Sequence, residues 1–307
     1  CSYIPAPFTI YKKIRKVMPG ESITLNINKK KVDKDIYWDI KNFETKNIKN
    51  DKAKEILLEL MSNSVKNQLI SDVPLGVFLS GGLDSSIISL FAKKHSDLKL
   101  NTFTINFEHK SSKDTENAEF ISRNIESNHF EINLNAKNQL SIINELIQFM
   151  DEPMADSAIV PTYMVSKYAE SKGIKVLLSG AGGDEIFGGY NRYFTNRVGT
   201  AAWFANLSAV SRLLFSKLIG NLKKSYRYRF DNSSRNYAAN ISGINYSFFN
   251  DILIKENDFE YIISFVDDHF KISGSKNIYD KMYFDLKDYL PNNILMLTDQ
   301  ATMASSV

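Results

Sequence analysis

Apolar positions along this chain change their period repeatedly, and each change predicts an element. Between Ala53 and Ile70, Ile56, Leu57, Leu60, Met61, Ser64, Val65 and Leu69 fall on one helical face, which predicts a packing helix ending before Ser71-Asp72-Val73-Pro74. A short apolar run then predicts a strand over Gly76 to Leu79, followed by a helix over Ser85 to Lys94 and a strand over Thr102 to Phe107. The pattern continues with a helix over Thr115 to Asn128, a strand over Phe130 to Leu134, helices over Ala136 to Met150 and Ser157 to Lys172, and a strand over Lys175 to Leu178. Strands alternating with helices predict an α/β fold, a doubly wound and mostly parallel sheet with right-handed crossovers. Ligands of such sheets lie outside the carboxyl ends of the strands, at the switch point.

The flanks read differently. Residues 1 to about 40 suggest short β-segments and turns: Phe8 to Tyr11, a turn at Met18-Pro19-Gly20-Glu21, and the alternating Ser22 to Ile27. That is too little chain to close a core. Asn42 to Asp51, polar and Lys/Asn-rich, reads as a linker. From Tyr193 through Phe270 the pattern is helical and aromatic, an added helical region in which Ile262, Ile263, Val266 and Phe270 read as core. Two more helices are predicted over Tyr279 to Leu290 and Asn292 to Thr302, separated at Pro291.

Composition narrows the function classes. With 307 residues and 43% hydrophobic content, the chain can bury a sizeable core. The 38 basic and 35 acidic side chains nearly balance, so no whole-molecule field recruits nucleic acid or an anionic membrane. The basic cluster from Arg212 to Arg229 is interleaved with Leu, Phe and Tyr and reads as a solvated face or loop. A single cysteine, Cys1, excludes an intramolecular disulfide, and the histidines at 95, 109, 129 and 269 show no zinc-type spacing. With no run of 18 apolar residues and no signal peptide, a cytoplasmic setting is expected. The start at Cys1 and the end at Val307 without a helix stop read as a piece of a longer chain.

The chemistry concentrates where the first apolar strand ends, at Ser80-Gly81-Gly82-Leu83-Asp84-Ser85-Ser86. First-turn helix amides lack intrahelical partners, and the dipole places roughly half a positive charge there, so this junction suits an anion. Gly81 and Gly82 let the main chain approach a phosphate, and the serines add hydroxyl donors. Asp84 would repel a phosphate unless Mg²⁺ lies between them. Neither the Lys-Ser/Thr pair of a Walker loop nor G-x-G-x-x-G is present. A second loop of the same kind, Ser179-Gly180-Ala181-Gly182-Gly183-Asp184-Glu185, follows another apolar strand. If the two strands are parallel neighbours, Asp84 and Asp184 can hold one Mg²⁺ whose shell ATP oxygens complete. The dipole supplies only about 0.3–1 kcal/mol, so the metal carries most of the countercharge.

Ser80-Gly81-Gly82-Leu83-Asp84-Ser85 resembles the pyrophosphate loop of the ATP pyrophosphatases, which have the adenine nucleotide alpha hydrolase-like (PP-loop) fold. The resemblance sharpens with Asp151-Glu152-Pro153, Pro161-Thr162-Tyr163, Ser179 to Tyr190, Tyr289-Leu290-Pro291 and Leu297 to Met303. Together these are similar to the synthetase half of glutamine-hydrolysing asparagine synthetases. Residues 1 to 50 resemble the tail and exit linker of that family's glutaminase domain, leaving 51 to 307 as an ATP-dependent synthetase domain truncated at its C-terminus. The implied ligase reaction uses ATP and Mg²⁺ to adenylate the aspartate side chain, and ammonia derived from glutamine then displaces AMP to give asparagine.

By the same resemblance, Ser80, Gly81, Gly82, Asp84 and Ser85 hold pyrophosphate, with Leu79, Ile105, Ser179 and Gly180 near the nucleoside. Asp84 and Asp184 are the implied metal ligands, and Glu185 joins Asp184 as a catalytic residue of the acyl site, with a plain helix N-terminal carboxylate as its other reading. The implied partners are small-molecule substrates and the N-terminal glutaminase domain, with no nucleic acid and no membrane; a homodimer stays open. Three features depart from the family pattern: Ala181 replaces an Asp or Glu, Gln300 replaces an Arg, and the Glu-Val-Arg-x-Pro segment with its following lysine is not reached. An alanine cannot accept a proton from the tetrahedral adduct, so adenylation can outlast amide formation. The alternatives are a related amidotransferase acting on another carboxylate, and an inactive nucleotide-binding fragment.

Overall fold

Four strands form the sheet that positions the site, and each owes its place to apolar side chains on both faces. The computed structural model describes residues 2–40, 47–107, 113–134, 136–194, 237 and 278–307. By internal contacts it divides into one unit of Gly20–Ala181 with Ile294–Val307 and another of Cys1–Pro19 with Gly182–Asn293.

In the first unit, β3 (Leu75–Phe78), β4 (Asn101–Phe107), β5 (Asn128–Leu134) and β6 (Val176–Leu178) run parallel in the order β5-β4-β3-β6. β3 is flanked on both sides, Val77 pairing with Thr102 of β4 and with Leu178 of β6. The chain steps outward from β3 to β4 to β5 and returns to the far side of β3, so the switch point lies between β3 and β6.

Side-chain alternation shows why this sheet is covered twice. Val77 and Leu178 point into a layer with Val65, Ala92, Ile88 and Ile121, from α1 (Asn50–Gln68), α2 (Leu83–His95) and α3 (Lys113–Asn124). Their neighbours Phe78 and Leu177 point the other way, with Phe103, Ile132, Val165 and Ala169, onto α5 (Ile159–Ser171). α4 (Ala136–Leu146) and α9 (Met296–Met303) extend that second layer through Leu146, Leu297 and Ala301, which pack with Val160 and Tyr163. Doubly wound α/β architecture is therefore observed.

Several expected elements are corrected. α3 stops at Asn124, four residues before the expected end, because Glu126 adopts a left-handed φ of 54° and Asn128 already donates to Leu100 O (2.8 Å) as β5 begins. α1 packs against α2, yet of its expected face only Val65 is fully buried and Leu60 is 62% exposed. Phe8 to Tyr11 is not a strand, since Thr9 Oγ1 accepts from Tyr11 N–H (3.0 Å) and donates to Ile14 O (3.1 Å), closing a local turn instead. The expected strand over Ser22 to Ile27 does form, as β1 (Glu21–Asn26), pairing antiparallel with β2 (Lys31–Ile36).

The second unit contains α6 (Gly183–Phe187), α7 (Asn191–Phe194), α8 (Ile278–Phe284) and most of a wide helix, Asp285–Leu295, with i→i+5 bonding. Pro291, expected to separate two helices, sits inside that wide helix. A widened turn gives room to a ring that lacks an N–H and would clash with an α-helical carbonyl. Tyr3, Tyr193, Tyr237 and Phe284 form this unit's buried cluster. The remainder of the expected helical region from Tyr193 through Phe270, including Ile262 to Phe270 and the basic cluster from Arg212 to Arg229, lies outside the described residues.

Candidate nucleotide site

At the carboxyl end of β3 the chain turns through Leu79-Ser80-Gly81-Gly82 into α2. Leu79 is fully buried; its N–H donates to Phe103 O (2.9 Å) and its carbonyl accepts from Thr104 Oγ1, which anchors the loop to β4. Ser85 Oγ accepts from Ser80 N–H (3.2 Å), lies 2.9 Å from Ser80 Oγ and 3.2 Å from Gly82 O, so one buried hydroxyl ties the loop closed. Gly82 caps α2, accepting from Ser86 N–H (3.1 Å). The amides of Leu83, Asp84 and Ser85 thus lie ahead of this bond, in the first helical turn, where an anion finds donors.

One glycine is required by close approach and another sits in tight contact. Gly81 has a φ of +81°, and a Cβ there would stand 1.9 Å from Asp114 O at the start of α3. At the β6 end, a Cβ on Gly180 would stand 3.1 Å from both Asp84 Cβ and Ser85 N. The structure therefore brings Leu79, Ser80, Gly81, Gly82, Asp84, Ser85, Ser179 and Gly180 to adjacent strand ends. Ile105, on β4, instead packs among the core residues of both clusters behind that end. Ala181 is exposed, its N–H donating to Ser179 Oγ (3.4 Å).

The unit holding Asp184 and Glu185 carries its own polar cluster. α6 lies between two left-handed glycines, Gly182 and Gly188, and the chain folds back so that Gly189 N–H donates to Asp184 O (2.9 Å). A Cβ on Gly189 would stand 1.8 Å from Asp184 Oδ1, so the carboxylate occupies the space that glycine leaves. Glu185 is buried, its Oε1 accepting from the Tyr190 hydroxyl (2.8 Å), and burial raises its pKa above the usual carboxylate range. Below it, fully buried Asp285 accepts from Arg192 Nη2 (2.6 Å) and the Tyr193 hydroxyl (2.5 Å). Lys281 Nζ donates to the carbonyls of Arg192 (3.3 Å) and Tyr193 (3.1 Å). Sequence reasoning missed Tyr190's role, Arg192, Lys281 and Asp285; the available signal was Asp285, Asp288 and Asn292, polar residues spaced along one helical run.

Among the described residues no group of three or more His, Cys, Asp or Glu side chains is gathered for a metal. Mg²⁺ does not need one, since one or two carboxylates and phosphate oxygens suffice. Asp84, half-buried in the first turn of α2 with Gly180 against its Cβ, fits that donor chemistry.

Sheet order, double coverage and the glycine loop at the switch point define a doubly wound α/β protein of the PP-loop type. The asparagine synthase family model matches residues 57–307, and the chain belongs to that family. It is 32% identical over 251 residues to a putative glutamine-hydrolysing asparagine synthetase of Methanocaldococcus jannaschii, covering 78% of this chain and 48% of the relative. To asparagine synthetase 1 of Bacillus subtilis it is 33% identical over 195 residues, 62% of this chain and 30% of the relative. The chain thus spans about half, or less, of the length of these curated relatives. An NMN synthetase structure from Francisella tularensis aligns with a TM-score of 0.34 at 13% identity over 85% of this chain and 98% of its own, a similarity too low to argue from.

Proposed function

We propose that this chain is the ATP-dependent synthetase part of a glutamine-hydrolysing asparagine synthetase. The observation that carries the reading is the Ser80 to Ser85 loop, closed on itself by Ser85, packed against the start of α3 at Gly81 and against the β6 end at Gly180, in a chain of the asparagine synthase family. An aspartate side-chain oxygen attacks the α-phosphorus of ATP, and pyrophosphate leaves into the amides and hydroxyls of Ser80, Gly81, Gly82 and Ser85. Ammonia then attacks the acyl carbon of β-aspartyl-AMP, AMP departs, and a proton is lost. Leu79, Ser179 and Gly180 form the nucleoside side, with Ile105 packed in the core behind them. Bound Mg²⁺, held by Asp84 and Asp184, would neutralise the departing charge. Glu185, buried and bonded to Tyr190, is a proposed carboxylate of the acyl site.

Residues 1 to 50 belong in this reading to the end of an upstream glutaminase domain that supplies ammonia. The matches cover only 48% of one curated relative and 30% of another, and β1 and β2 carry Ile23, Leu25, Val32 and Ile36 on one face, each at least 43% exposed. An apolar face of this kind calls for a covering partner. Among the described residues no helix is long and apolar enough to cross a membrane, and a cytoplasmic setting accompanies the reading.

Ala181 favours a second reading, in which the same loop adenylates a different carboxylic acid: it is exposed at the β6 turn and offers no proton acceptor there. ATP–pyrophosphate exchange with a panel of carboxylic acids tests both. Exchange that needs aspartate supports the first; exchange with another acid alone selects the second. Asp84→Asn should abolish Mg²⁺-dependent ATP binding and leave the fold intact, and unchanged affinity with and without Mg²⁺ would remove the metal assignment.

A further inference from the structure

The Gly188-Gly189-Tyr190 turn touches both acidic residues of α6: Gly189 abuts the Asp184 carboxylate and Tyr190 donates to Glu185. Something must hold that turn, because Gly188 and Gly189 supply no side chain and carry the largest backbone freedom. Arg192 fills this place. Its guanidinium carbon lies 3.7 Å from the Tyr190 ring centroid and 4.5 Å from that of Tyr289. Nε (3.2 Å) and Nη2 (2.6 Å) both reach Asp285 Oδ2, while Asp285 Oδ1 has no partner among the described residues. The Asp285 side chain is 0% exposed and that of Arg192 17%, so the pair is largely withdrawn from water. Lys281 fixes the backbone from which Arg192 projects.

We propose that Arg192 is a positioning residue: clamped by Asp285, it stacks on Tyr190 and so fixes the turn that orients the Asp184 carboxylate and Glu185. This rests on the reading of Asp184 as a metal ligand for its consequence, though not for its geometry. A planar guanidinium can stack on a ring while its edge donates to a carboxylate; an ammonium keeps the charge and loses the plane. Charge toward Asp285 and order of the turn are therefore separable by Arg192→Lys.

Two measurements on the intact chain test this. The first is amide exchange at Gly189, whose N–H is bonded to Asp184 O, with β4 amides as internal reference. Arg192→Lys should accelerate Gly189 exchange about tenfold or more while β4 is unmoved, and Tyr190→Phe, which keeps the ring but drops the hydroxyl, should change it less. Unchanged Gly189 exchange in Arg192→Lys overturns the proposal whatever nucleotide does. The second is ATP affinity with Mg²⁺ and with EDTA. The Mg²⁺-dependent part should weaken by about 10- to 100-fold in Arg192→Lys, as expected for removing a group behind a metal ligand, with the EDTA value unchanged. If Asp184→Asn abolishes Mg²⁺ dependence but Arg192→Lys does not alter it, the positioning role fails. If neither alters it while Gly189 exchange rises, the positioning stands and the metal reading of Asp184 fails. Should Arg192→Lys not fold, Tyr190→Leu, which removes the ring on which Arg192 stacks, must raise Gly189 exchange, and no rise there overturns the proposal.

Discussion

Replacing Asp288 with Asn should flatten one arm of this protein's pH–stability profile. Asp288 is buried in the wide helix; Oδ2 accepts from the Tyr3 hydroxyl and Oδ1 from Asn292 Nδ2 (3.0 Å), while Asn292 Oδ1 accepts from Ala6 N–H (3.2 Å). Asp285 and Lys16 are the charged groups that act on it. Burial lifts its pKa from 3.8 to about 7, outweighing the bonds from Tyr3 and Asn292.

The sign follows from proton counting. Below about pH 4 the folded and unfolded chains both hold this proton, and Asp288 costs nothing. Between about pH 4 and 7 only the folded chain keeps it, so stability falls as pH rises; above 7 the loss is complete and constant. A pKa difference of about 3 amounts to roughly 4 kcal/mol over that window. Asp288→Asn preserves the shape without the ionisation, so the difference between variant and parent should grow in the variant's favour by that amount from pH 4 to 8. Urea midpoints across this range, with amide exchange at Ala6 as the local report, measure it. Parallel profiles, agreeing within about 1 kcal/mol at every pH, would refute the reasoning.

The pyrophosphate loop yields two sharper substitutions. Gly81→Ala should cost at least about 1–2 kcal/mol for the left-handed backbone alone, and more because the new methyl overlaps Asp114 O; thermal melting and ATP binding should both suffer, and a variant equal to the parent in both would contradict the loop geometry. Ser85→Ala strips the acceptor from Ser80 N–H and should cost about 1–3 kcal/mol together with ATP affinity, read by denaturation and calorimetry; a change in neither would show that the loop closes without it.

What the sequence determined by itself was local. An apolar run such as Val77-Phe78-Leu79 followed by two glycines dictates a strand, a turn and a helix start, because backbone freedom and first-turn amides depend only on neighbouring residues. The eight strands and helices from Gly76 to Leu178 were legible for the same reason, and with them the parallel sheet. Tertiary structure decided the rest. The order β5-β4-β3-β6 puts Gly180 against Asp84, a contact between residues far apart in sequence that no local pattern encodes. α3 ended early where left-handed Glu126 interrupted it, and an expected strand gave way to a turn where the Thr9 hydroxyl competed with the repeating pattern. Pro291 signals a helix break in sequence, and only in three dimensions does a wide helix absorb it. The cluster of Arg192, Asp285, Asp288 and Tyr3 left only the spacing of its aspartates as a trace in the sequence, because the energy of a buried charge is set by partners arriving from distant segments, and those partners meet only when the chain is folded.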